Sequence, residues 1–352
     1  MTWEENVRSC VPYVAGEQPD RPDVIKLNTN ECPYPPAPGV ARAAADMDCK
    51  QLKRYPDQHT RILGDALAAY YHLKPSQIFM GVGSDDVLSM AFLTFFHSGK
   101  PILFPDVTYS FYDVWADLYR IPYKTCALDE NWRICPQAYR QPNGGIVFPN
   151  PNAPTGVLES LDTVEEILKA NRDAVVIVDE AYIDFGGESA LSLLEKYEQL
   201  LVVRTFSKSR SLAGLRIGFA MGNEKLIRYL NDVKFSVNSY TMNSPAQILG
   251  AEAVKDEAYF RETVGRVVAT REKVKRELRE LGFSFPDGQG NFLFVSHKRV
   301  PAAEIFAVLK EAGIYVRYWN KPRISDCLRI TVGSEEEMES LMAFLKKYLE
   351  NT

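Results

Sequence analysis

The stretch LLVVRTFSKSRSLAGLRIGFAMG, residues 200–222, contains two apolar runs separated by a basic segment rich in hydroxyl groups. Each run has the length of a strand, and LLVV is rich in the β-branched and aliphatic residues of buried strands. Five similar runs precede it and alternate with helical patterns: QIFMG, PILFP, IPYKTC, GIVFPN and AVVIVDE. Such alternation predicts an α/β fold in which a mostly parallel seven-stranded sheet lies between helices.

The rest of the chain predicts two further segments. After about residue 240 the pattern changes to helical stretches, with residues 244–281 forming one long helix, and to strands at FLFVS, IYVRYW and CLRITV. This mixture favours a smaller α+β domain. The first forty residues contain many prolines, which exclude regular helix. We therefore expect an extended arm (1–39) that packs with the small domain and a partner subunit, a large ligand-binding domain (40–240), and a small domain (241–352).

Composition and charge exclude several classes of protein. Of the 352 residues, 46% are hydrophobic and 25% are charged, which is typical of globular proteins rather than of disordered or membrane proteins. The net charge is −5, and no tract rich in lysine and arginine is long enough for a nucleic-acid-binding face. No apolar run approaches the ~20 residues that span a bilayer. We expect neither a nucleic-acid partner nor a membrane partner.

The cysteines and histidines argue against a metal site. The six cysteines form no CxxC pair, so we expect reduced thiols. The opening MTWEENVRSC lacks the basic and apolar regions of a secretion signal, which favours a cytoplasmic protein. Each of the four histidines is isolated from other histidines and cysteines at ligand spacing, so we expect no metal.

Polar residues that follow the apolar runs are candidate ligand-binding groups, because ligands gather at the carboxyl ends of parallel strands. Asp179 closes AVVIV, where a buried carboxylate needs a cationic partner or has a raised pKa. Ser84 and Asp85 begin a helix, so their amides could bind an anion or belong to an ordinary helix cap. Tyr182 lies three residues after Asp179, and Tyr109 follows ILFPDV at the start of a helix; each is a cofactor contact or a core residue.

Lys208 lies in the basic segment, after Thr205 and Ser207 and eight residues before Arg216. A solvated basic loop is the usual outcome for such a cluster. Alternatively, a fixed cation nearby lowers the pKa of the amine and makes it a better nucleophile toward a carbonyl. A Schiff-base lysine, an anion site, an acid for a ring nitrogen and a tyrosine for a flat face together describe a site for pyridoxal phosphate.

Three motifs carry a resemblance to a known family. NPNAPTG (150–156), VDEAY (178–182) and TFSKSRSLAGLRIG (205–218) are similar in order and spacing to those of the fold type I pyridoxal-phosphate aminotransferases. Shorter matches resemble, within that group, the histidinol-phosphate aminotransferases; they are PYVAGEQP, LNTNECPYPP, RYPD, GSDD, VTYSFY, VRYW and CLRITVG. The resemblance covers nearly the whole chain, and its most specific parts are the lysine motif and CLRITVG.

This resemblance implies a role for each cofactor-binding residue. Lys208 is implied to bind the cofactor aldehyde as a Schiff base and then to carry the proton between the substrate α-carbon and the cofactor. Asp179 is implied to keep the ring nitrogen protonated, and Tyr182 to donate a hydrogen bond to the ring hydroxyl. The other implied contacts are Tyr109, stacked on the ring, and the phosphate-binding groups Ser84, Asp85, Thr205, Ser207, Arg216 and, from a second subunit, Tyr55.

The resemblance also implies a reaction and an assembly. A homodimer would transfer the amino group of L-histidinol phosphate to 2-oxoglutarate, forming imidazole-acetol phosphate and L-glutamate in histidine biosynthesis. Arg329 resembles the arginine that receives the substrate's anionic group, and Arg317, Tyr13 and Asn30 are further substrate-binding candidates. For Arg317, a surface charge on a strand is the alternative.

Position 153 departs from the family's pattern. The family motif has an asparagine immediately before Pro-Thr-Gly, where its amide bonds the ring hydroxyl of the cofactor. This chain has Ala153 there, and Asn152 lies one place too early to replace it. We therefore predict that Tyr182 makes this contact alone.

Other functions share part of these motifs. Threonine-phosphate decarboxylases and aromatic amino-acid aminotransferases are similar enough to leave the amino donor open. A nicotinamide-dependent dehydrogenase would use GVGSDD (81–86) as a glycine fingerprint and Asp106 as its ribose-binding acid, but the third glycine is missing and Lys208 and Arg216 would have no role. A non-catalytic module that holds pyridoxal phosphate would leave the C-terminal arginines without a role.

Overall fold

The computed structural model describes residues 2–21 and 23–351, so Met1 and Pro22 of the predicted arm and Thr352 of the predicted small domain lie outside the description. The helices are α1 (Pro38–Ala45), α2 (Arg61–Tyr71), α3 (Ser84–Phe95), α4 (Tyr112–Tyr119), α5 (Leu161–Ala170), α6 (Glu224–Val237), α7 (Ser244–Lys255), α8 (Glu257–Glu280), α9 (Ala302–Glu311) and α10 (Glu335–Glu350). The strands are β1 (Ile25–Lys26), β2 (Ile78–Gly81), β3 (Ile102–Pro105), β4 (Tyr123–Cys126), β5 (Ile146–Pro149), β6 (Val176–Asp179), β7 (Leu200–Thr205), β8 (Gly218–Gly222), β9 (Phe283–Ser284), β10 (Phe292–His297), β11 (Ile314–Tyr315), β12 (Arg317–Tyr318) and β13 (Leu328–Thr331). In this described part of the chain, no helix combines the length and apolar character that crossing a membrane requires.

The predicted seven-stranded, mostly parallel sheet is confirmed. Its strand order is β2-β8-β7-β6-β5-β3-β4, and β8 is the one strand that runs opposite to the other six. Alternate side chains of β6 enter two different cores: Val176 and Val178 pack with α2 and α5, whereas Ile177 packs with α3, α4 and α6. Because both faces are covered by helices, the central strands are apolar at consecutive positions, as their sequences predicted.

The C-terminal part forms a smaller layered unit. Strands β12, β13, β10 and β9 make an antiparallel sheet, and α8, α9 and α10 share one apolar core with it. The predicted strand IYVRYW is two short strands, because β11 pairs with β1 of the arm while β12 pairs with β13. The arm therefore packs on this unit, through the parallel pairing of Ile25 with Ile314 and the burial of Leu27 in its core.

The predicted helix over residues 244–281 is two helices. The backbone of Asp256 leaves the helical region at φ −94° and ψ 72°, and its carboxylate accepts the Tyr259 amide and so caps α8. On the other side of this break, Leu249 and Ala253 of α7 are buried in the core that contains Leu63 of α2. We propose that the large and small units divide near Asp256 rather than between residues 240 and 241.

The strand register places several chain turns along one edge of the large sheet. Thr205 at the end of β7 pairs with Gly218, which in turn pairs with Gly81 at the end of β2. Asp179 at the end of β6 pairs with Pro149 at the end of β5. The polar segments that follow these strands therefore meet at the carboxyl edge of the sheet, where ligands of open α/β folds bind.

Candidate active site

A cavity of about 140 Å³ lies at this carboxyl edge. All of the residues predicted for the site line it, with the exception of Tyr55. They come from the arm, the large sheet and the small sheet, so the cavity lies where the three parts of the chain meet.

Lys208 lines the cavity and is half-buried, and its Nζ donates to the carbonyl oxygen of Thr29 in the arm, at 2.9 Å. Burial and the Arg329 guanidinium lower the pKa of this amine to about 8, and Arg216 contributes in the same direction. Near neutral pH the uncharged, nucleophilic form is therefore readily reached. Burial therefore contributes more to the lowered pKa than Arg216, the cation that the sequence predicted as its cause.

Asp179 is a buried carboxylate at the end of β6. It accepts hydrogen bonds from the Tyr112 hydroxyl at 3.1 Å and from the Ala181 amide at 3.3 Å. Burial raises its pKa to about 7. Among the residues that the structure describes, no lysine or arginine forms an ion pair with it, so the carboxylate suits a ligand with a protonated ring nitrogen. Tyr112 was missed because an aromatic residue at the start of a helix is usually core.

The raised pKa of Asp179 predicts that the cofactor-free protein loses stability as the pH rises. A carboxyl with a pKa of about 4 in the unfolded chain and about 7 in the folded protein binds more protons in the folded state between these values. Its contribution to the free energy of unfolding is therefore full below pH 4, falls across this window and is lost above pH 7. We expect the decline between pH 5 and pH 7 to be steeper in the wild type than in Asp179→Asn, measured by urea unfolding without cofactor. Parallel pH profiles would show that Asp179 is ionised in both states.

Three aromatic side chains line one wall of the cavity or support it. Tyr109 donates its hydroxyl proton to Asp85 Oδ1 at 2.7 Å, and burial followed by the Asp85 charge raises its pKa well above the usual value. Tyr13 stacks on Phe111 with ring centroids 4.1 Å apart. The wall therefore offers flat, apolar surface to a planar ligand.

Beside this wall, the cavity has a group of donors that could bind an anion. Helix α3 begins at Ser84 with free amides, and Arg216 lies beside it, 3.1 Å from Asp85. Ser207 Oγ accepts from Thr205 Oγ1 at 3.0 Å and from Arg216 Nη1 at 3.4 Å. Hydroxyl groups, a guanidinium and a helix N-terminus are the donors that bind phosphate in proteins.

Two glycines keep this part of the cavity open. A Cβ atom on Gly83 would lie 2.5 Å from Nη2 of Arg216, and Gly83 has a φ of +86°, which other residues rarely adopt. A Cβ atom on Gly218 would lie 2.3 Å from the Ser84 amide nitrogen. Side chains at these positions would displace the groups that face the anion.

Arg329 is half-buried, and one donor of its guanidinium is buried and unused by the described residues. Its Nη2 donates to the carbonyl oxygen of Asn28 at 2.8 Å, while its Nε has no partner among the described residues. The guanidinium lies against the rings of Trp319 and Phe292, at 5.2 and 5.5 Å from their centroids, and burial lowers its pKa. A buried donor without a partner is costly, so this arrangement suits an anionic ligand.

Arg317 is bound to the arm. Its Nη1 and Nη2 donate to the carbonyl oxygens of Ala15 and Val14 at 3.0 and 2.7 Å, and its side chain is half-buried in the wall of the cavity. The guanidinium therefore fixes the arm over the site and presents charge to the same space as Arg329.

A second cavity of about 380 Å³ adjoins the first and shares Tyr13, Tyr109, Ala153 and Arg329 with it. It extends between Trp319 and Tyr123, and it provides room for the organic part of a substrate. The sequence did not predict it, because Trp319 and Tyr123 lie almost 200 residues apart.

Two predicted groups, Tyr55 and Asp106, do not line the first cavity. The ring of Tyr55 is 81% exposed and stacks on Tyr240 with centroids 4.6 Å apart. Asp106, the ribose-binding acid of the dehydrogenase alternative, accepts the Leu128 amide at 3.0 Å and forms an ion pair with Arg323. Its carboxylate is therefore already bonded within the chain, which argues against that alternative.

Comparisons of the sequence with known proteins agree with this geometry. The sequence profile of the family "Aminotransferase class I and II" matches residues 22–345. The histidinol-phosphate aminotransferase of Lactococcus lactis subsp. cremoris strain MG1363 is 51% identical over 351 residues, which cover 100% of this chain and 99% of that protein. The enzyme of the same name from Clostridium botulinum strain Kyoto is 48% identical over 347 residues, 99% of this chain and 98% of that one.

Solved structures show the same fold. The histidinol-phosphate aminotransferase of Clostridium acetobutylicum superposes with a TM-score of 0.86 at 22% identity, covering 94% of this chain and 100% of that one. The Sinorhizobium meliloti histidinol-phosphate aminotransferase, solved in complex with pyridoxal-5′-phosphate, gives a TM-score of 0.85 at 21% identity, covering 93% and 91%.

Proposed function

Because the chain belongs to the class I and II aminotransferases, we propose that it transfers the amino group of L-histidinol phosphate to 2-oxoglutarate, forming imidazole-acetol phosphate and L-glutamate. This reaction is a step of histidine biosynthesis. One observation carries the proposal: a single cavity combines a half-buried amine of lowered pKa, a buried carboxylate and a guanidinium whose Nε has no partner among the described residues.

The cofactor is pyridoxal 5′-phosphate, and the residues of the cavity fit it. When bound, it supplies an electron-withdrawing pyridinium ring that stabilises negative charge at the substrate α-carbon. Asp179 would bind the ring nitrogen, Tyr182 the ring oxygen, and Tyr109 one face of the ring. The phosphate would be held by the Ser84 and Asp85 amides, Thr205, Ser207 and Arg216.

Lys208 is the group that moves the proton. An amine with a pKa of about 8 can take a proton from the substrate α-carbon and return it near neutral pH. In this structure the amine donates a hydrogen bond to the Thr29 carbonyl of the arm, and this bond must break before the amine acts. Burial of the amine limits its exchange of protons with water, which keeps the transferred proton within the site.

Arg329 is the proposed receptor for the substrate anion. Histidinol phosphate carries a phosphate and glutamate carries carboxylates, and the planar guanidinium can bind either group with two parallel hydrogen bonds. Its unpartnered Nε supplies one of these donors without breaking a bond inside the protein. Arg317 adds positive charge to the same space.

Steady-state assays test the choice of donor. With 2-oxoglutarate as acceptor, we expect kcat/KM for histidinol phosphate to exceed that for phenylalanine by at least about tenfold, because phenylalanine lacks the phosphate that Arg329 can bind. We expect threonine phosphate to release no carbon dioxide. A preference for phenylalanine would favour the aromatic aminotransferase alternative, and release of carbon dioxide would favour the decarboxylase.

We also propose that the enzyme is a cytoplasmic homodimer whose sites include Tyr55 of the second chain. The 81% exposure of Tyr55 and its position outside the cavity of its own chain support this. So do exposed apolar side chains of the arm, among them Trp3 and Val11 at 75% and 82% exposure. Burying such groups against a second chain is favourable, which agrees with an arm that packs on a partner subunit.

Mixing two impaired variants tests the sharing of sites. If Tyr55 completes the site of the other chain, a mixed dimer of Lys208→Ala and Tyr55→Ala chains has one intact site, and random re-association restores about one quarter of wild-type activity. We expect this gain after the two variants are unfolded together and refolded, compared with each variant refolded alone. The absence of any gain, in samples that light scattering shows to be dimeric, would place Tyr55 outside the partner's site.

A further inference from the structure

Asn30 is a buried residue of the arm whose backbone and side chain both form hydrogen bonds. Its Nδ2 donates to the Tyr182 hydroxyl oxygen at 2.9 Å, and its backbone amide donates to Thr331 Oγ1 at 3.0 Å. Thr331 Oγ1 also lies 3.1 Å from Oδ1 of Asn30, and the backbone carbonyl of Asn30 accepts from Asn291 at 2.9 Å. Only 1% of the residue is exposed. Its side chain is therefore held in one orientation.

This network fixes the direction of the Tyr182 proton. Thr331 Oγ1 accepts the amide proton of Asn30, so its own proton is directed to Asn30 Oδ1. The amide group of Asn30 must then present its NH₂ to Tyr182, since Oδ1 is the atom that receives the Thr331 proton. A phenol oxygen that accepts from an amide directs its own O–H elsewhere, and for Tyr182 the open direction is the cavity.

The hydrogen bonds of Asn30 also matter because the residue at position 153 is an alanine. Ala153 lines both cavities and provides no polar side-chain atom there. Tyr182 is therefore the proposed donor to the cofactor's ring oxygen, and the strength of that donor depends on what bonds the phenol. A donor on the phenol oxygen polarises its O–H and strengthens the outgoing hydrogen bond.

We propose that Asn30 is a positioning residue that acts through Tyr182: its amide orients the phenol and strengthens its donation into the site, in place of direct contact with substrate. This inference rests on the proposed transaminase function. It agrees with the effect of the Asn30 amide on the pKa of Tyr182, which burial raises and which Arg329 and Asn30 lower. Thr331 lies in β13 of the small sheet, and Tyr182 follows β6 of the large sheet. Asn30 of the arm is hydrogen-bonded to both residues and so connects the two sheets.

The backbone of Asn30 decides which variants are informative. Its φ is +57°, a left-handed conformation that asparagine and aspartate adopt more readily than alanine. Asn30→Asp therefore keeps the backbone and the shape while it replaces the donor with an acceptor. Asn30→Ala removes the donor but adds backbone strain.

The absorbance of the cofactor bound to Lys208 changes with pH. The midpoint of this change reports the strength of the hydrogen bond that Tyr182 donates to the ring oxygen. A hydrogen bond to the ring oxygen stabilises its negative charge and so favours loss of the proton that the chromophore carries at low pH. Weakening the bond makes that proton harder to remove. The net free energy of one hydrogen bond corresponds to a pKa change of about one unit or less. We therefore expect the midpoint to rise by about 0.5–1 unit in Asn30→Ala. We expect a larger rise in Asn30→Asp, because the phenol proton turns to the new carboxylate.

The experiment titrates this absorbance in the cofactor-loaded wild type, both Asn30 variants and Asn28→Ala. Asn28 is a matched control, because it is a buried asparagine two residues earlier whose Nδ2 donates to the Glu17 carbonyl instead of to Tyr182, and because Asn28→Ala keeps the backbone carbonyl that accepts from Arg329. We expect an unchanged midpoint in Asn28→Ala. In the Asn30 variants we also expect kcat for the amino donor to fall about three- to tenfold with KM changed less than about twofold.

Two results would overturn the inference. One is a midpoint in Asn30→Asp within about 0.2 unit of the wild type in a protein that binds cofactor. The other is an equal rise in Asn28→Ala, which would assign the effect to the arm as a whole. The titration uses no amino donor, so it keeps its meaning even if histidinol phosphate is not a substrate.

Discussion

The variant Lys208→Ala is expected to lose kcat by at least about 10⁴-fold, because one side chain supplies both the amine that binds the cofactor and the base that moves the substrate proton. The structure supports both uses, since the amine lines the cavity and its pKa is lowered to about 8 by burial and by Arg329. Transamination of histidinol phosphate, measured with a stopped assay over hours, gives the residual rate. Borohydride reduction followed by mass spectrometry is expected to leave the cofactor on Lys208 in the wild type and nowhere in the variant.

Lys234 offers a matched control for this experiment. It is a buried lysine, and burial lowers its pKa. Its Nζ donates to the carbonyl oxygen of Met80 at 3.1 Å. It does not line the cavity. Lys234→Met keeps the side-chain volume, so we expect kcat to remain within about threefold of the wild type. A Lys208→Ala enzyme that kept more than about 1% of kcat would contradict the role assigned to Lys208.

Asp179→Asn is expected to retain the cofactor and lose about 10³-fold or more in kcat. The carboxylate and a protonated ring nitrogen stabilise each other in a site without bulk water, and a neutral amide cannot keep that proton on the ring. A loss of this size corresponds to about 4 kcal/mol in the barrier. Binding is less affected, because the proposed phosphate contacts at Thr205, Ser207 and Arg216 remain. Single-turnover rates with histidinol phosphate separate the chemical step from cofactor binding.

Tyr112→Phe is the control for the position of the carboxylate. It removes the 3.1 Å hydrogen bond from the Tyr112 hydroxyl but leaves the Asp179 charge in place. We expect a loss of less than about tenfold, since one neutral hydrogen bond contributes about 1 kcal/mol. Near-normal turnover in Asp179→Asn would show that the ring does not need the charge. Equal losses in the two variants would show that the carboxylate acts mainly through its position.

The amino-acid sequence determined the large sheet and the location of the site. Strands buried on both faces are apolar at consecutive positions, so β5, β6 and β7 were visible as short runs, and the residue that ends each run marked the carboxyl edge. Asp179 and Lys208 were predicted in this way. The roles of Tyr109, Arg216 and Arg329 came instead from the resemblance of their motifs to a family.

Only the tertiary structure decided which groups bond across the chain. Asn30 meets Tyr182 152 residues away and Thr331 301 residues away, and the Thr29 carbonyl holds Lys208 179 residues away. Periodicity and turn chemistry describe interactions between near neighbours, so they contain no information about these contacts. For the same reason the sequence does not indicate that α7 shares a core with α2, the observation from which we propose a division at Asp256. The pKa values of Lys208 and Asp179 depend on burial, which arises only when the arm, the large sheet and the small sheet close around one cavity.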